Sequence, residues 1–400
     1  MIVLSLSSGT SVDAIDVAAA DLTMTGGEIR MTPLGHREVQ YSVELRGLIL
    51  DALPPAATTL ETVCRIDTGV GQEFAAAASS AADDLTGGRA ELVVSHGQTL
   101  FHWIDDGAVR GTLQLGQPAW IAQATGLPVV SDLRVNDVAA GGHGAPLASL
   151  FDVLLLGDSR KRSAALNLGG IANVTVVGAD HDPVAFDTGP ANALIDAAVR
   201  RLTAGRDHVD HDGAIAARGQ VNSRLFAALL DHPYYRRLPP KSTGKEDFHA
   251  GYLAEMIDRA GCQDLSPSDL LATLVEVTAR TVAAALTPYA VDRVFASGGG
   301  TRNPTLMRRL EDHLAPARLT TIAELGLDSD AKEAYVFALV GFLSWHGVAG
   351  SIPACTGAGR ATVAGRITPG ATSLRLPPPV ADPVHTLRIV HPILTKLPAT

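Results

Sequence analysis

Two apolar hairpins, about 160 residues apart, are the feature that most constrains the fold of this 400-residue chain. The first hairpin joins residues 2–6 to residues 15–20, and the second joins residues 164–168 to residues 173–177. Apolar runs on both sides of a glycine-containing turn predict two strands connected by a tight turn. Their repetition predicts a duplicated unit whose turns face a nucleotide.

Three glycine-rich turns carry this prediction. Glycine tolerates positive φ and lets backbone N–H groups approach an anion, and the hydroxyls of Thr10 and Ser11 add further donors. After the third turn, Asn303 fits a helix N-cap and Pro304 a first helical position, and such a helix start binds nucleotides readily. The glycines of the three turns are Gly9, Gly169, Gly170, Gly298, Gly299 and Gly300.

Composition and charge narrow the class of protein. An apolar content of 46% is ample for two cores, and the net charge of −10 disfavours nucleic acid or an anionic membrane as a partner. The three cysteines are far apart and are expected to be reduced thiols. No basic segment precedes the apolar N-terminus, and residues 334–348 are shorter than the roughly 20 residues of a membrane span. We therefore expect a cytoplasmic protein with small-molecule partners, and neither a nucleic acid nor a membrane partner.

Two carboxylates follow the first glycine turn. Asp13 and Asp16 would repel ATP directly, so they make sense there if Mg²⁺ lies between, bound through its waters, or if one orients a substrate hydroxyl. Asp13 is the candidate metal residue. The alternative is a hairpin turn capped by aspartate, with no ligand at all.

Asp187 lies in Phe186-Asp187-Thr188-Gly189-Pro190, where the pattern predicts a strand end and a turn. With an ordinary pKa of about 3.9 it would be ionised and able to take a proton from water or a hydroxyl. A turn-capping role is the alternative for a lone Asp-x-Gly. His96 and Gln98 follow the apolar run 92–95, and we expect them in a polar loop at the carboxyl end of a parallel strand, where ligands bind in open α/β sheets.

Five segments, in this order, resemble the anhydro-N-acetylmuramic acid kinase family. They are SGTSVDAID (8–16), SHGQTLFH (95–102), FDTGPANALID (186–196), GGGTRNP (298–304) and DAKEA (330–334). The resemblance extends from residue 1 to about residue 370, and the joint order of the segments makes it specific. It implies an α/β, two-lobed, actin-like ATPase fold, a duplicated ribonuclease H-like architecture with a central cleft. The predicted N-terminal lobe is 1–130, with residues of about 347–370 packing back on it. The predicted C-terminal lobe is 131–346, and residues 371–400 are predicted to be a proline-rich extension.

The resemblance also implies an activity. It implies a dimeric, MgATP-dependent enzyme that acts in cell-wall recycling. Such an enzyme would open the 1,6-anhydro ring of anhydro-N-acetylmuramic acid and phosphorylate O6, giving N-acetylmuramic acid 6-phosphate. By motif, Asp187 would be the general base that activates the attacking water. Arg134 and Glu333 match positions near the sugar, with His96 and Gln98 as further candidates. The residues that would hold ATP are Gly9, Thr10, Ser11, Val12, Asp13, Ala14, Ile15, Asp16, Gly169, Gly170, Gly298, Gly299 and Gly300.

Two alternative functions fit the same residues. One is a related actin-like kinase that phosphorylates an ordinary sugar or a carboxylate without ring opening, and the other is a nucleotide-binding protein without catalysis. The chain also departs from the family pattern, because Ala14 and Ala191 occupy positions where glycine is expected. An added methyl group is compatible with the same loop unless φ is positive there.

Overall fold

The structure is a computed structural model that describes residues 1–9, 11–105, 108–157, 161–178, 180–244, 246–378, 380 and 382–391. Thr10, one of the predicted phosphate-binding residues, lies outside them. The described residues form two compact units. Unit 1 comprises residues 1–157, 325–327 and 331–391, and unit 2 comprises residues 161–324 and 328–330.

Strands and helices alternate along both units. The strands are β1 (Ile2–Ser8), β2 (Ile15–Thr25), β3 (Glu28–Val39), β4 (Leu92–Asp105), β5 (Ala108–Leu115), β6 (Val129–Ser131), β7 (Ser163–Leu168), β8 (Ile171–Gly178), β9 (His181–Pro190), β10 (Arg293–Ser297), β11 (Arg318–Thr321), β12 (Arg366–Thr368) and β13 (Thr386–Ile389). The α-helices are α1 (Val43–Ala52), α2 (Leu60–Thr86), α3 (Pro118–Thr125), α4 (Val135–Ala139), α5 (Ala148–Leu156), α6 (Asn192–Leu202), α7 (Ser223–Leu230), α8 (Ala250–Arg259), α9 (Pro267–Leu286), α10 (Pro304–Leu314), α11 (Lys332–Trp345) and α12 (Pro353–Thr356).

The two units repeat one strand order. In unit 1 the sheet runs β12-β6-β4-β1-β2-β3-β13, with β5 paired to β4, and in unit 2 it runs β11-β10-β7-β8-β9. Unit 1 begins with the antiparallel strands β1, β2 and β3 and adds β4 and β6 parallel to β1. Unit 2 begins with the antiparallel strands β7, β8 and β9 and adds β10 and β11 parallel to β7. The duplication expected from the two hairpins is confirmed by these matching topologies.

The sheet of unit 1 is covered on both faces. Leu4 and Val93 pack with Ile66 and Phe74 of α2, whose apolar residues recur at helical spacing. On the other face α11 approaches β4 so closely that a Cβ on Gly341 would lie 2.1 Å from Val94 Cγ2. Glycine at 341 therefore allows α11 to sit directly on the strands that carry site residues.

The core of unit 2 forms around α9. This helix, continued to Tyr289, is long and apolar enough to span a membrane by composition, but 67% of its most apolar window is buried inside the protein. Leu271, Leu274 and Val282 pack there with strands and helices of unit 2. The longest apolar segment is thus α9 rather than the predicted 334–348, and its burial is that of a core helix.

Two expectations about domain limits differ from the structure. Residues 131–157 belong to unit 1, since β6 pairs with β4 and α5 contacts α11, so the division does not fall at 130/131. Residues 331–346, predicted in the second lobe, also lie in unit 1. The proline-rich extension predicted over 371–400 forms β13, which pairs in parallel with β3 and buries Leu387.

Candidate active site

The first glycine turn is shaped by a left-handed residue and a buried amide. Val12 has φ of 56°, and its N–H donates to the Gly9 carbonyl at 3.1 Å. The same carbonyl accepts a hydrogen bond from Nε2 of Gln98 at 3.2 Å. Gln98 is fully buried, and its Oε1 lies 3.5 Å from the Tyr41 hydroxyl. Its side chain therefore holds the turn rather than projecting freely.

Ala14 and Ala191 do not distort their loops. Neither residue has positive φ, so a methyl group is compatible with the backbone at both positions where glycine was expected. The side chains of Val12 and Ile15 are buried in the core of unit 1, which leaves only their backbone for a ligand. Asp13 is exposed, and its Oδ1 lies 3.4 Å from Nη2 of Arg46.

The second and third glycine turns meet in unit 2. A Cβ on Gly300 would lie 2.6 Å from Cβ of Leu168, and Gly298 has φ of 83°. Asn192, at the start of α6, donates from Nδ2 to the Leu168 carbonyl at 3.1 Å. Gly298 and Gly300 thus let the two turns approach each other, whereas a Cβ on Gly299 would meet only Nδ2 of Asn192, at 4.0 Å.

A pocket of about 420 Å³ opens beside Gly299. It is lined by polar side chains from α6 and from the turn before α10, among them Asp196, Arg302 and Asn303. Asn303 caps α10 as predicted, accepting from the N–H of Leu306 at 3.0 Å. Burial raises the pKa of Asp196 to about 6, and Arg200 opposes the rise.

Asp187 lies in β9 next to a β-bulge. Asn173 of β8 pairs with Asp187 and Ala172 pairs with Gly189, so Thr188 is the extra residue. The Thr243 N–H donates to Oδ2 of Asp187 at 2.9 Å, and the Asp187 N–H donates to the Lys241 carbonyl at 3.2 Å. One carboxylate oxygen is therefore oriented by the loop that contains Thr243.

The surroundings of Asp187 change its acidity. Burial raises the pKa of this carboxyl to about 6, while the Thr243 N–H and the charge of Lys241 lower it and Glu246 raises it further. The ordinary value of about 3.9 expected from the sequence is therefore wrong, because that expectation assumed full solvation. A carboxylate with a pKa near 6 is still ionised at neutral pH and is a stronger base than an ordinary aspartate.

Sequence reasoning missed the residues that position Asp187. The Tyr234 hydroxyl donates to the Asp187 carbonyl at 2.7 Å, and Lys241 Nζ lies 4.7 Å from the centre of the Tyr234 ring. Nothing in the sequence around Lys241 and Thr243 indicated contact with Asp187. The contact joins residues 56 positions apart, so no local signal could have found it.

His96 and Arg134 form a pair in unit 1. The predicted polar loop after Ser95 is wrong, since β4 continues to Asp105 through a bulge at His96, where Gly97 has φ of 72°. His96 is buried and stacks on Phe337 of α11, with ring centroids 4.2 Å apart. Nε and Nη2 of Arg134 lie 3.3 and 3.2 Å from His96 Nε2. Burial and Arg134 hold the pKa of His96 well below its ordinary value, so the ring is neutral.

Arg134 is fixed at both ends of its guanidinium. Nη1 donates to the Gly144 carbonyl at 2.8 Å, and the Gly144 N–H donates to Oδ2 of buried Asp137 at 2.8 Å. Glu333, in the first turn of α11, interacts electrostatically with Arg134. Desolvation by the surrounding protein raises the pKa of Glu333, and the charge of Arg134 lowers it. Arg134, His96 and Glu333, predicted separately, are thus brought together in unit 1.

A buried ion pair anchors the start of α11. Lys332 Nζ lies 2.6 Å from Oδ1 of Asp152 in α5, and both side chains are almost entirely buried. Removing one partner of a buried ion pair costs more stability than the intact pair contributes overall. Such a pair therefore acts mainly by fixing the positions of its two residues. It fixes the residue that immediately precedes Glu333.

Two units with one strand order, each carrying a glycine turn after its first strand, define a duplicated ribonuclease H-like protein of the actin-like class. The family model described as anhydro-N-acetylmuramic acid kinase matches residues 1–370. The chain is 57% identical over 390 residues to the anhydro-N-acetylmuramic acid kinase of Streptomyces coelicolor (98% of this chain, 99% of the relative). It is 53% identical over 396 residues to that of Rhodococcus erythropolis (97% and 99%). The chain belongs to the anhydro-N-acetylmuramic acid kinase family.

Among solved structures, the chain is similar to the activator of the 2-hydroxyisocaproyl-CoA dehydratase from Clostridium difficile with bound ADPNP. The TM-score is 0.41 at 12% identity, covering 86% of this chain and 94% of that one.

Proposed function

We propose that this protein uses ATP to convert anhydro-N-acetylmuramic acid and water into N-acetylmuramic acid 6-phosphate, with Asp187 as the general base. Membership of the kinase family supports the substrate and the phosphoryl transfer. The observation that carries the role of Asp187 is its carboxylate, oriented by Thr243 and held by burial at a pKa of about 6. Such a group accepts a proton from water near neutral pH.

The reaction divides into two displacements. Asp187 takes one proton from water as the water oxygen bonds to C1 and the C1–O6 bond breaks, its electron pair staying on O6. O6 then attacks the γ-phosphorus of ATP, and ADP leaves with the electron pair of the broken P–O bond. Holding O6 in place between the two steps makes the second step intramolecular in effect, which lowers its entropic cost.

Two groups of residues fit the phosphates of ATP. In unit 1 the turn after β1 presents Gly9 and the exposed Ser11, and in unit 2 Gly299 borders a pocket of about 420 Å³. The volume and the polar lining of that pocket suit the nucleoside part of ATP. We propose that Gly9–Asp16 and the two glycine turns of unit 2 bind ATP.

Mg²⁺ fits the first turn through Asp13. The carboxylate of Asp13 is exposed, and its Oδ1 is shared with Arg46, which leaves Oδ2 for a water of the metal rather than for a full set of direct ligands. The metal would neutralise charge on the phosphates when bound. Arg46 also donates to the Val12 carbonyl at 2.8 Å, so it keeps Asp13 next to the phosphate turn.

The sugar is assigned to Arg134, Glu333 and His96. Arg134 keeps its positive charge in a partly buried position, and it is held by the Gly144 carbonyl and by neutral His96. We assign Glu333, exposed in the first turn of α11, as an acceptor for hydroxyl groups of the sugar. Gln98, predicted to contact the sugar, is assigned instead to the Gly9 turn because its amide already bonds there.

Replacing Asp187 by Asn tests the assigned base. Asn retains an oxygen that can accept from Thr243 but cannot take a proton, so ADP release with the anhydro-sugar should fall by about 10²–10⁴-fold. Asp182→Asn, an exposed change in the same strand, is the matched control and should retain parental activity. Near-parental turnover in Asp187→Asn would show that another group activates the water.

Labelled water distinguishes ring opening from simple phosphorylation. In H₂¹⁸O, ring opening with transfer places one ¹⁸O at C1 of the product, measured before the free sugar exchanges. A kinase acting on an ordinary sugar would phosphorylate the reducing sugar and leave the anhydro-sugar unlabelled and intact. Absence of ADP release with either sugar would favour a nucleotide-binding protein without catalysis.

We also propose a cytoplasmic homodimer. The hairpin of β4 and β5 exposes Phe101, Trp103, Ile104 and Leu113, a set of large apolar side chains that a second copy would cover. Light scattering on the parental protein and on Trp103→Arg tests this. A parental mass of one chain, or a dimer unaffected by Trp103→Arg, would contradict the proposed interface.

A further inference from the structure

A second pocket of about 420 Å³ lies within unit 1, beside His96. Its polar end is formed where β6 finishes beside the bulge of β4, because Ser95 of β4 is the register partner of Ser131, the last residue of β6. Val63 and Leu115 contribute apolar walls. The pocket therefore has one polar end and one apolar side.

Four buried polar atoms at this pocket have no hydrogen-bond partner in the described part of the chain; one is Oε1 of Gln114, and the other three lie at its polar end. These three are Oγ of Ser95, Nδ1 of His96 and Oγ of Ser131. All three side chains are more than nine-tenths buried, and all three residues line the pocket. Buried polar groups are rarely left unpaired in folded proteins, so three on adjacent positions of one pocket indicate a ligand.

The three unpaired atoms at the polar end can donate hydrogen bonds, whereas Oε1 of Gln114 is an acceptor. A guanidinium only donates, so His96 Nε2 accepts from Arg134, and the neutral ring carries its proton on Nδ1. The two serine hydroxyls can also donate. Each of the two acidic groups at the pocket has one carboxylate oxygen engaged: Asp67 Oδ1 accepts from the Gly116 N–H at 2.8 Å, and Asp132 Oδ2 pairs with Arg366 at 2.8 Å. At the polar end the ligand must therefore bring acceptors.

We propose that this pocket binds a small carboxylate, with its oxygens on Ser95, His96 and Ser131 and its aliphatic carbons against Val63 and Leu115. A carboxylate accepts several hydrogen bonds, and such bonds are stronger than those to a neutral acceptor. Two sources carry this chemistry: the lactyl acid group of the sugar, in which case the inference rests on the proposed function, and a free carboxylate. In both cases the bound ligand is linked to Arg134 through His96. The imidazole ring donates to the ligand from Nδ1 and accepts from Arg134 at Nε2.

Calorimetric titration of the full-length protein with D-lactate tests the free source. D-lactate should bind, neutral lactamide should bind at least tenfold more weakly, and Ser131→Ala should weaken lactate binding about tenfold or more. Ser344→Ala removes an equally buried hydroxyl that bonds within α11, and it should leave binding unchanged. The melting temperature of Ser131→Ala should not fall, because the hydroxyl has no partner in the fold; a clear fall would assign it to the fold and overturn the proposal.

Steady-state kinetics test the sugar as the source. Ser131→Ala should raise KM about tenfold for anhydro-N-acetylmuramic acid and leave it unchanged for 1,6-anhydro-N-acetylglucosamine, which lacks the acid group. Lactate binding without this difference assigns the pocket to a free carboxylate. No lactate binding together with equal effects on both sugars overturns the proposal. If the parental protein phosphorylates neither sugar, the proposed function fails, and the lactate titration alone decides the pocket.

Discussion

The backbone N–H of Thr243 donates a hydrogen bond of 2.9 Å to Oδ2 of Asp187. This bond opposes the effect of burial, which raises the pKa of Asp187 to about 6. The carboxylate is thereby kept ionised at neutral pH while remaining more basic than a solvated aspartate. The loop around Thr243 thus sets both the direction and the strength of the proposed base.

The dependence of activity on pH should report this balance. We expect the acid limb of kcat/KM for the anhydro-sugar to have a pKa near 6, because the base must be ionised. Thr243→Pro removes the donor and should shift the limb upward by roughly one to two pH units. Thr243→Ala keeps the N–H and serves as the control. An acid limb that is the same in all three proteins would contradict the assignment.

Asp187 should also lower the stability of the folded protein. Its pKa is higher in the folded than in the unfolded state, so the stability associated with its protonated form is present below about pH 4 and is lost as pH rises through about 6. At pH 7.5 Asp187→Asn should therefore be more stable by up to about 3 kcal/mol. Thermal unfolding measures this, and the difference should narrow toward pH 4. A variant less stable than the parent at pH 7.5 would contradict the expected penalty.

Gln98→Ala should affect ATP more than the sugar. Losing the hydrogen bond to the Gly9 carbonyl loosens the phosphate turn, and KM for ATP should rise roughly 3- to 10-fold. Gln123→Ala, an exposed change on α3, is the control. A selective rise in KM for the sugar would instead return Gln98 to the role expected from its motif.

Deleting residues 371–400 should destabilise unit 1. The deletion removes β13, uncovers the edge of β3 and exposes surface now buried against Leu387. An unpaired strand edge promotes association between chains, so we expect a lower melting temperature and concentration-dependent light scattering. Deletion of residues 392–400 alone retains β13 and is the control. Parental behaviour of the longer deletion would show that β13 adds nothing to stability.

Local patterns in the sequence were sufficient for many elements. Both hairpins and the Asn303 cap of α10 were predicted from features within a few residues of each element. These features are the spacing of apolar residues, the glycines in turns and the capping side chains. Each depends only on residues that are close together in the sequence. The ordered motifs were likewise enough to indicate the family.

What the sequence determined by itself was therefore the repeated strand–turn–strand units and the identity of the charged residues. Only the tertiary structure decided which groups surround them: Thr243 on Asp187, Gln98 on the Gly9 turn, and Arg134 on His96. It also turned the expected loop after Ser95 into a bulged strand and the proline-rich tail into an edge strand. Partners separated by tens to hundreds of residues leave no local period, and the pKa of a carboxyl depends on the burial and charges that only the folded chain supplies.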